Sequence, residues 1–263
     1  MIKINGVELQ KSYFPDGTLH LKYTVQEGEN TKIEWKYENN EELVSLIFIT
    51  KHLREKFVKN IELYMPYVPN ARQDRTKKPH DIFTLKYFAE VINSLEFLKV
   101  HILDPHSDVT SALIDRVVQV SVTPYIQEAI KLSGISKEKD IVFFPDSGSQ
   151  KRYSDESKYP YAFGIKQRDW ETGEIKGLEV SGDIPKEPFD VLIIDDISSY
   201  GGTFYFAAKK LKELGARKID LYVTHCENTI LDGKLMDGDL INHIYTTSSL
   251  FTKEHEKITV LEL

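Results

Sequence analysis

The stretch VLIIDDISSYGGTFYFAAKKLKELGA, Val191 to Ala216, limits what this chain can fold into more than any other. A short apolar run, Val191 to Ile194, reads as a strand buried on both faces, and the segment that follows reads as the rest of a βα unit. Two adjacent carboxylates, Asp195 and Asp196, follow the run. A loop then closes on Gly201-Gly202-Thr203 and opens an amphipathic helix. The glycines let backbone N–H groups come close to a ligand. A helix N-terminus behind them offers donors and a partial positive charge, which suits phosphate. Carboxylates at the end of a strand suit a ribose diol or a metal ion. One loop therefore reads as a holder for a ribose that carries phosphate. Asp-Asp before a turn and Gly-Gly-Thr at a helix start also have ordinary turn and cap meanings, so the rest of the chain has to decide.

The bulk numbers narrow the class. A chain of 263 residues makes one large domain or two of ordinary size. Its net charge of −7 argues against a general nucleic-acid or membrane binder. A nucleotide substrate stays open, because Mg²⁺ and a few local cations can carry its phosphates. A single cysteine, Cys226, excludes an intrachain disulfide and a Cys-cluster metal site and fits a reducing compartment. The first residues, MIKINGVELQKSYFPDG, contain no long apolar run. The expectation is no signal peptide, no membrane span and a cytoplasmic enzyme.

Strands and helices alternate along the chain. Lys3–Leu9 and Leu19–Val25 read as short β pieces. Asn40–Phe57 reads as a helix, with Leu43, Leu46, Ile47, Ile49, Leu53 and Phe57 close to helical period. Ile61–Met65 reads as a strand, Ala71–His80 as a charged loop, Ile82–Leu95 as a helix and Val100–Leu103 as a strand. In the second half Thr123–Ser133 reads as a helix and Ile141–Phe144 as a strand broken by Pro145-Asp146-Ser147-Gly148. Ala162–Ile165 reads as a strand leading into a polar stretch, Lys166–Gly177, and Ile219–Val223 as another strand. This rhythm predicts α/β architecture with mainly parallel sheets, one in each half, divided as 1–121 and 122–263. Polar residues gather just after the strands, where open α/β sheets bind ligands.

Taken together, these pieces resemble the ribose-phosphate diphosphokinases, the phosphoribosyl pyrophosphate synthetases. Phe14-Pro15-Asp16-Gly17 is similar to the family's Phe-x-Asp-Gly-Glu motif. Pro66-Tyr67 followed by Ala71-Arg72-Gln73-Asp74-Arg75 is similar to its Pro-Tyr…Ala-Arg-Gln-Asp-Arg segment, the most specific match. Asp104-Pro105-His106-Ser107 resembles Asp-Leu-His-Ser/Ala, and Pro145-Asp146-Ser147-Gly148 with Lys151-Arg152 resembles Pro-Asp-x-Gly-Gly…Lys-Arg. Lys166-Gln167-Arg168 falls where the family has a flexible catalytic loop, Lys-x-Arg. Asp195 to Thr203 corresponds to its ribose-phosphate loop, Asp-Asp-x-x-Asp-Thr-x-Gly-Thr, and Thr224-His225 and Thr246-Thr247 have counterparts near the end. The matches are colinear and span nearly the whole chain.

The resemblance implies two phosphoribosyltransferase-like lobes, each a mainly parallel sheet flanked by helices: an ATP-side lobe (1–121) and a ribose-phosphate lobe (122–263). It implies attack of an anomeric 1-hydroxyl on the β-phosphorus of ATP, releasing AMP, with Mg²⁺ as cofactor. Lys166 and Arg168 would be donors to the transferring phosphates. Phe14, Asp16, Arg72, Gln73 and Asp74 would contact ATP, Phe14 and Asp16 from a neighbouring subunit of a homo-oligomer. His106 would ligate Mg²⁺ through a ring nitrogen, with Asp104 orienting it or bracing its loop, and Asp146 would also be a metal residue. Asp195 and Asp196 would take the ribose hydroxyls directly or through a second Mg²⁺. Ser198, Ser199, Tyr200, Gly201, Gly202 and Thr203 would complete the ribose-phosphate loop. Asp146, Ser147, Gly148 and Arg152 would form a pyrophosphate-side loop.

The departures point to the acceptor. Thr18 stands where the family has Glu, and the chain is shorter than usual, mainly in its N-terminal half. Ser199-Tyr200 replaces Asp-Thr in the loop that grips the sugar phosphate. Less acidity and more bulk there suit a phosphodiester, such as the ribose end of ADP-ribose, better than a free dianionic phosphate. Some short, phage-type relatives act on ADP-ribose in rebuilding NAD, which would place the chain in a host cytoplasm. Two other classes stay open: a type I phosphoribosyltransferase, which has no need of the Ala71–Arg75 and Asp104–Ser107 segments, and a non-catalytic synthetase-associated protein.

Overall fold

The computed structural model describes residues 1–25, 30–168 and 175–263, and the side chains of residues 166–178 lie outside what it describes. The chain forms two compact units, Met1–Ser121 and Val122–Leu263.

In the first unit the elements run β1 (Ile2–Ile4), β2 (Val7–Glu8), β3 (Gln10–Tyr13), β4 (Leu19–Lys22), β5 (Asn30–Trp35), α1 (Glu41–Glu55), β6 (Asn60–Tyr64), α2 (Thr84–Ser94), β7 (Lys99–Leu103), α3 (Asp108–Leu113) and β8 (Val117–Val120). Among the described residues the sheet order is β2-β1-β5-β6-β7-β8, with β5 to β8 parallel. The expected β piece at Lys3–Leu9 is a hairpin instead, because Asn5 and Gly6 take φ of 47° and 81° and make a two-residue turn. Strand β5 escaped the sequence reading, although Thr31, Ile33 and Trp35 are buried at every second position. Helix α1 stops before Phe57, which sits at φ 64° and is 88% exposed, so its apparent helical period was fortuitous. All three helices contribute to the cluster on one sheet face, where Leu46, Ile49, Leu53, Leu85, Phe88 and Ile92 meet Ile33, Trp35, Ile61, Leu63, Val100 and Ile102. The other face is polar: Glu62 Oε2 meets His101 Nε2 at 2.8 Å, and Tyr64 stacks on that imidazole at 4.0 Å.

The second unit runs α4 (Thr123–Ser133), β9 (Ile141–Phe144), α5 (Ser147–Ser157), β10 (Tyr161–Arg168), β11 (Ile175–Gly182), β12 (Phe189–Ser198), α6 (Gly202–Glu213), β13 (Ala216–Cys226), a 3₁₀ turn (Asn228–Asp232), β14 (His243–Thr247) and β15 (Ile258–Leu261). Its sheet order is β11-β10-β9-β12-β13-β14-β15, parallel except for the edge strand β11. Ile141, Val142, Phe143 and Phe144 are all buried, as a central strand covered on both faces requires. Helix α6 packs in one cluster with Ile193 and Leu221, and α4 in the other with Ile194 and Tyr222.

Three local expectations change here. Pro145–Gly148 is not a loop: Asp146 is the N-cap of α5, and Ser147, Gly148 and Arg152 lie in that helix. Lys166–Arg168 continues β10, with a register shift between Gln167 and Arg168, rather than leaving the sheet as a loop. Strand β12 runs on through Asp195 and Asp196 to Ser198, so the carboxylates lie within the strand and not behind it.

Candidate active site

The carboxyl ends of β9, β10, β12 and β13 bring together most residues singled out in the second half. At the turn from β12 to α6, Gly201 is the N-cap at φ 74°, and no side chain caps the helix. The neighbouring α5 is different. Its N-cap Asp146 accepts from the backbone N–H of Gly148 at 3.0 Å and of Ser149 at 3.2 Å. One helix N-terminus therefore has its donors satisfied within the protein, and the other presents Gly201-Gly202-Thr203 without a side-chain cap. The uncapped end is the one suited to an anion.

The acidic residues beside it are unequal. Asp196 is 5% exposed and lies 3.6 Å from Arg152 Nη1. Arg152 is held in turn by its neighbour, its Nη1 donating to the hydroxyl of the buried Tyr153 at 3.2 Å. Arg152 thus faces a β12 carboxylate from within α5. Asp195 Oδ1 accepts from the Asp196 N–H at 3.0 Å. Burial pushes its carboxyl well above the usual range, and the charges of Asp196 and Asp146 push it further. Ribose hydroxyls can donate to the Asp195 and Asp196 carboxylates. Cys226, at the end of β13, takes no part as a nucleophile, since burial pushes its thiol up to about 12.

In the first unit the loops after β6 and β7 lie side by side because those strands are neighbours. Asn70 turns the chain at φ 64°, and Gln73 is tied to α2 by its carbonyl, which accepts from the Leu85 N–H, and by its Oε1, which accepts from Thr84 Oγ1 at 2.6 Å. Asp74 is buried and takes the Arg75 fork at 2.7 Å on each oxygen. The Arg75 guanidinium holds the Asp74 carboxyl at about 2, with nearby His106 adding to the effect. Gln73 and Asp74, expected to contact ATP, brace the loop in this structure, while Arg72 is exposed on it. His106 is half-buried after the buried Asp104, which turns the chain at φ 43°.

Phe14 and Asp16 sit at the tip of the β3–β4 hairpin, a two-stranded sheet of its own. Phe14 is half-exposed and its ring lies 4.8 Å from that of His20. Asp16 Oδ1 accepts from Thr18 N at 3.0 Å and Thr18 Oγ1 at 2.7 Å, closing the turn where the family has Glu. The side chains of Lys166 and Arg168 lie outside the described residues. Among the described residues no cluster of three or more His, Cys, Asp or Glu is arranged to hold a metal, and no helix is long and apolar enough to cross a membrane.

Sequence reasoning missed what stands behind the loop that joins β12 to α6. The Glu227 N–H donates to the Ser198 carbonyl at 2.8 Å, and Gly233 and Leu235 press against Tyr200 and Gly201. Gly233 follows an ordinary Leu-Asp pair, and no local pattern marks it.

A mainly parallel α/β sheet with an uncapped Gly-Gly-Thr helix start after paired carboxylates defines a nucleotide- or sugar-phosphate-binding enzyme. The N-terminal domain of ribose phosphate pyrophosphokinase matches residues 3–95. The chain is 30% identical over 229 residues to the ribose-phosphate pyrophosphokinase of Thermococcus kodakarensis, covering 85% of this chain and 78% of that protein. It is 26% identical over 231 residues to that of Saccharolobus solfataricus, covering 86% and 78%. The crystal structure of phosphoribosylpyrophosphate synthetase from Mycobacterium smegmatis has the same fold, with a TM-score of 0.76 at 21% identity over 97% of this chain and 86% of that one. The chain belongs to the ribose-phosphate pyrophosphokinase family, and is an enzyme of the transferase class.

Proposed function

We propose that the protein transfers the β,γ-diphosphate of ATP to the anomeric 1-hydroxyl of a ribose 5-phosphate moiety and releases AMP. The hydroxyl oxygen forms a bond to the β-phosphorus, the bond from that phosphorus to the bridging oxygen breaks, and its electron pair leaves with AMP. The hydroxyl proton passes to solvent. Such a transfer needs positioning and charge neutralisation more than covalent participation by the protein. The observation that carries this reading is the uncapped α6 N-terminus at Gly201-Gly202-Thr203, on the turn that follows the strand carrying Asp195 and Asp196, in a chain of this family.

The α6 N-terminus, with Ser198, Ser199 and Tyr200 before it, would hold the 5-phosphate, and Asp195 and Asp196 the ribose hydroxyls. Lys166 and Arg168 would neutralise the transferring phosphates. Arg72 would meet ATP phosphate, with Gln73 and Asp74 keeping its loop in place. Phe14 and Asp16 would reach the adenine of a neighbouring subunit in a homo-oligomer. His106 in the first unit and Asp146, Asp195 and Asp196 in the second are each a donor type that fits Mg²⁺, which is held by few protein ligands plus substrate oxygens. Bound Mg²⁺ would neutralise phosphate charge.

The acceptor we favour is ADP-ribose. Tyr200 is 60% exposed beside the α6 N-terminus, and Phe206, one turn along that helix, is 66% exposed. Both offer apolar area beyond the 5-phosphate, where ADP-ribose continues and ribose 5-phosphate ends. The test offers ATP and Mg²⁺ with each acceptor separately and reads products by mass spectrometry. Pyrophosphorylated ADP-ribose, lost on Tyr200→Thr, supports the reading. Pyrophosphorylated ribose 5-phosphate alone makes the Ser199-Tyr200 change irrelevant to the choice of acceptor.

A further inference from the structure

The segment Asn228–Leu235 stands behind the loop that joins β12 to α6, and the contacts between them are unusually close. A Cβ placed on Gly233 would lie 2.1 Å from the Tyr200 carbonyl oxygen and 2.8 Å from its carbon. The Gly233 Cα thus rests directly on the Tyr200 peptide. A Cβ on Gly201 would lie 2.3 Å from Leu235 Cδ1 and 2.8 Å from its Cγ. Leu235 is 1% exposed, so its side chain fills the space behind Gly201 and cannot retreat into solvent. A third tie is the Glu227 N–H to Ser198 carbonyl bond at 2.8 Å. The 3₁₀ turn itself closes with the Gly233 N–H donating to the Ile230 carbonyl at 3.0 Å, and Ile230 is fully buried. Tyr200, by contrast, leaves most of its ring exposed. The conformation of residues 199–201 is therefore set through their backbone from behind, and not by anchoring of the Tyr200 side chain.

We infer that Gly233 and Leu235 are positioning residues, which fix the peptide planes of Tyr200 and Gly201 and so aim the N–H groups at the start of α6 toward the acceptor phosphate. This inference rests on the reading of that loop as the phosphate holder. Gly201 takes φ 74°, and the three atoms nearest the position its Cβ would occupy all belong to the Leu235 side chain. Gly233 lets its backbone approach that of Tyr200 more closely than any side chain would allow, and Gly201 makes room for the Leu235 side chain. The donors are then held in place before a ligand arrives, which is what electrostatic stabilisation of a phosphate requires.

Two measurements on the full chain separate this inference from the reading beneath it. The first is amide hydrogen exchange across residues 199–204 in Leu235→Ala, Leu235→Met and Gly233→Ala, with no substrate present. Leu235→Ala should speed exchange there about tenfold or more, the effect of losing roughly 1.4 kcal/mol of local stability, while β9 and α4 stay protected and Leu235→Met restores protection. A uniform rise, or none, overturns the inference whatever the substrate is. The second is steady-state kinetics with whichever acceptor the wild type uses. The two alanine variants should raise the acceptor KM about tenfold or more, since misplacements near 1 Å carry costs of that order or larger, and leave the ATP KM within twofold. A fall in kcat proportional to the folded fraction, with both KM values unchanged, would assign Gly233 and Leu235 to folding alone. If Leu235→Ala loosens the loop as expected but wild type binds no ribose phosphate, the phosphate-holder reading has failed and the bracing has not. If Gly233→Ala does not fold, the Leu235 pair decides the question.

Discussion

Replacing Gly201 by Ala tests whether the β12–α6 turn is as tightly determined as its geometry implies. The substitution has two separable costs. At φ 74° an L residue pays for a left-handed backbone, roughly 1–2 kcal/mol. The added methyl also arrives 2.3 Å from Leu235 Cδ1, where carbon atoms rest at about 3.5–4.0 Å. Leu235 must therefore move by more than about 1 Å within a packed interior, and such overpacking costs roughly 1–3 kcal/mol. Together these predict a loss of about 2–5 kcal/mol, a fall in Tm of roughly 5–15 °C for a unit of this size. Gly202→Ala is the control, because open space surrounds its Cβ position and its φ is not positive. It should leave stability unchanged or raise it by up to about 1 kcal/mol, as a helix position gains from Ala, while weakening acceptor binding. Chemical denaturation of Gly201→Ala in the wild-type and Leu235→Ala backgrounds separates the two costs. Without the Leu235 side chain only the backbone cost remains, so the coupling should be about 1–3 kcal/mol. An equal loss in both backgrounds, or no loss in either, would refute the steric argument.

Asp195→Asn should abolish turnover yet stabilise the protein at neutral and alkaline pH. Burial, and then the Asp196 and Asp146 charges, raise the Asp195 carboxyl. Its contribution is thus fully present below the unfolded value and lost as pH rises through the folded one. Melting curves from pH 5 to 8 should show the variant's advantage growing with pH, and a constant difference would contradict this. Asp74→Asn should do the opposite. Arg75 holds Asp74 at about 2 against an ordinary 3.8, so about 2 kcal/mol of stability at pH 7 should disappear as pH falls through that interval, read as converging urea midpoints. Lys166→Ala and Arg168→Ala should each lower kcat on the order of 10²–10³, if they stabilise charge in the transition state. A loss below fivefold in both would remove them from the chemistry.

Local signals explain what the sequence disclosed of the fold. Helix α4 was readable to the residue because Pro124 starts it and Gly134, at φ 71°, ends it. Strand β9 was readable because four consecutive apolar residues fit only a central strand. Helix α5 was not readable. It is polar, and Pro145-Asp146-Ser147-Gly148 has the composition of a turn, although Asp146 in fact closes a capping box. Short α3 and β8, and the antiparallel pairing of β10 with β11, lack the length or alternation that periodicity needs. In the candidate site, Asp195 to Thr203 was visible because one continuous segment carries it. The engagement of Gln73 by Thr84, of Asp196 by Arg152, and of Tyr200 by Gly233 was not visible. Each joins residues at least 11 positions apart, and nothing local encodes such a pairing.

Pyrophosphoryl transfer is tested most directly by following the β-phosphorus. The purified chain would be incubated with Mg²⁺, ATP labelled at the β-phosphate, and either ribose 5-phosphate or ADP-ribose. The account predicts label in the pyrophosphorylated acceptor, unlabelled AMP in equal amount, and no labelled ADP. Labelled ADP with an acceptor carrying one new phosphate, or no acceptor-dependent release of AMP with either acceptor, would contradict it.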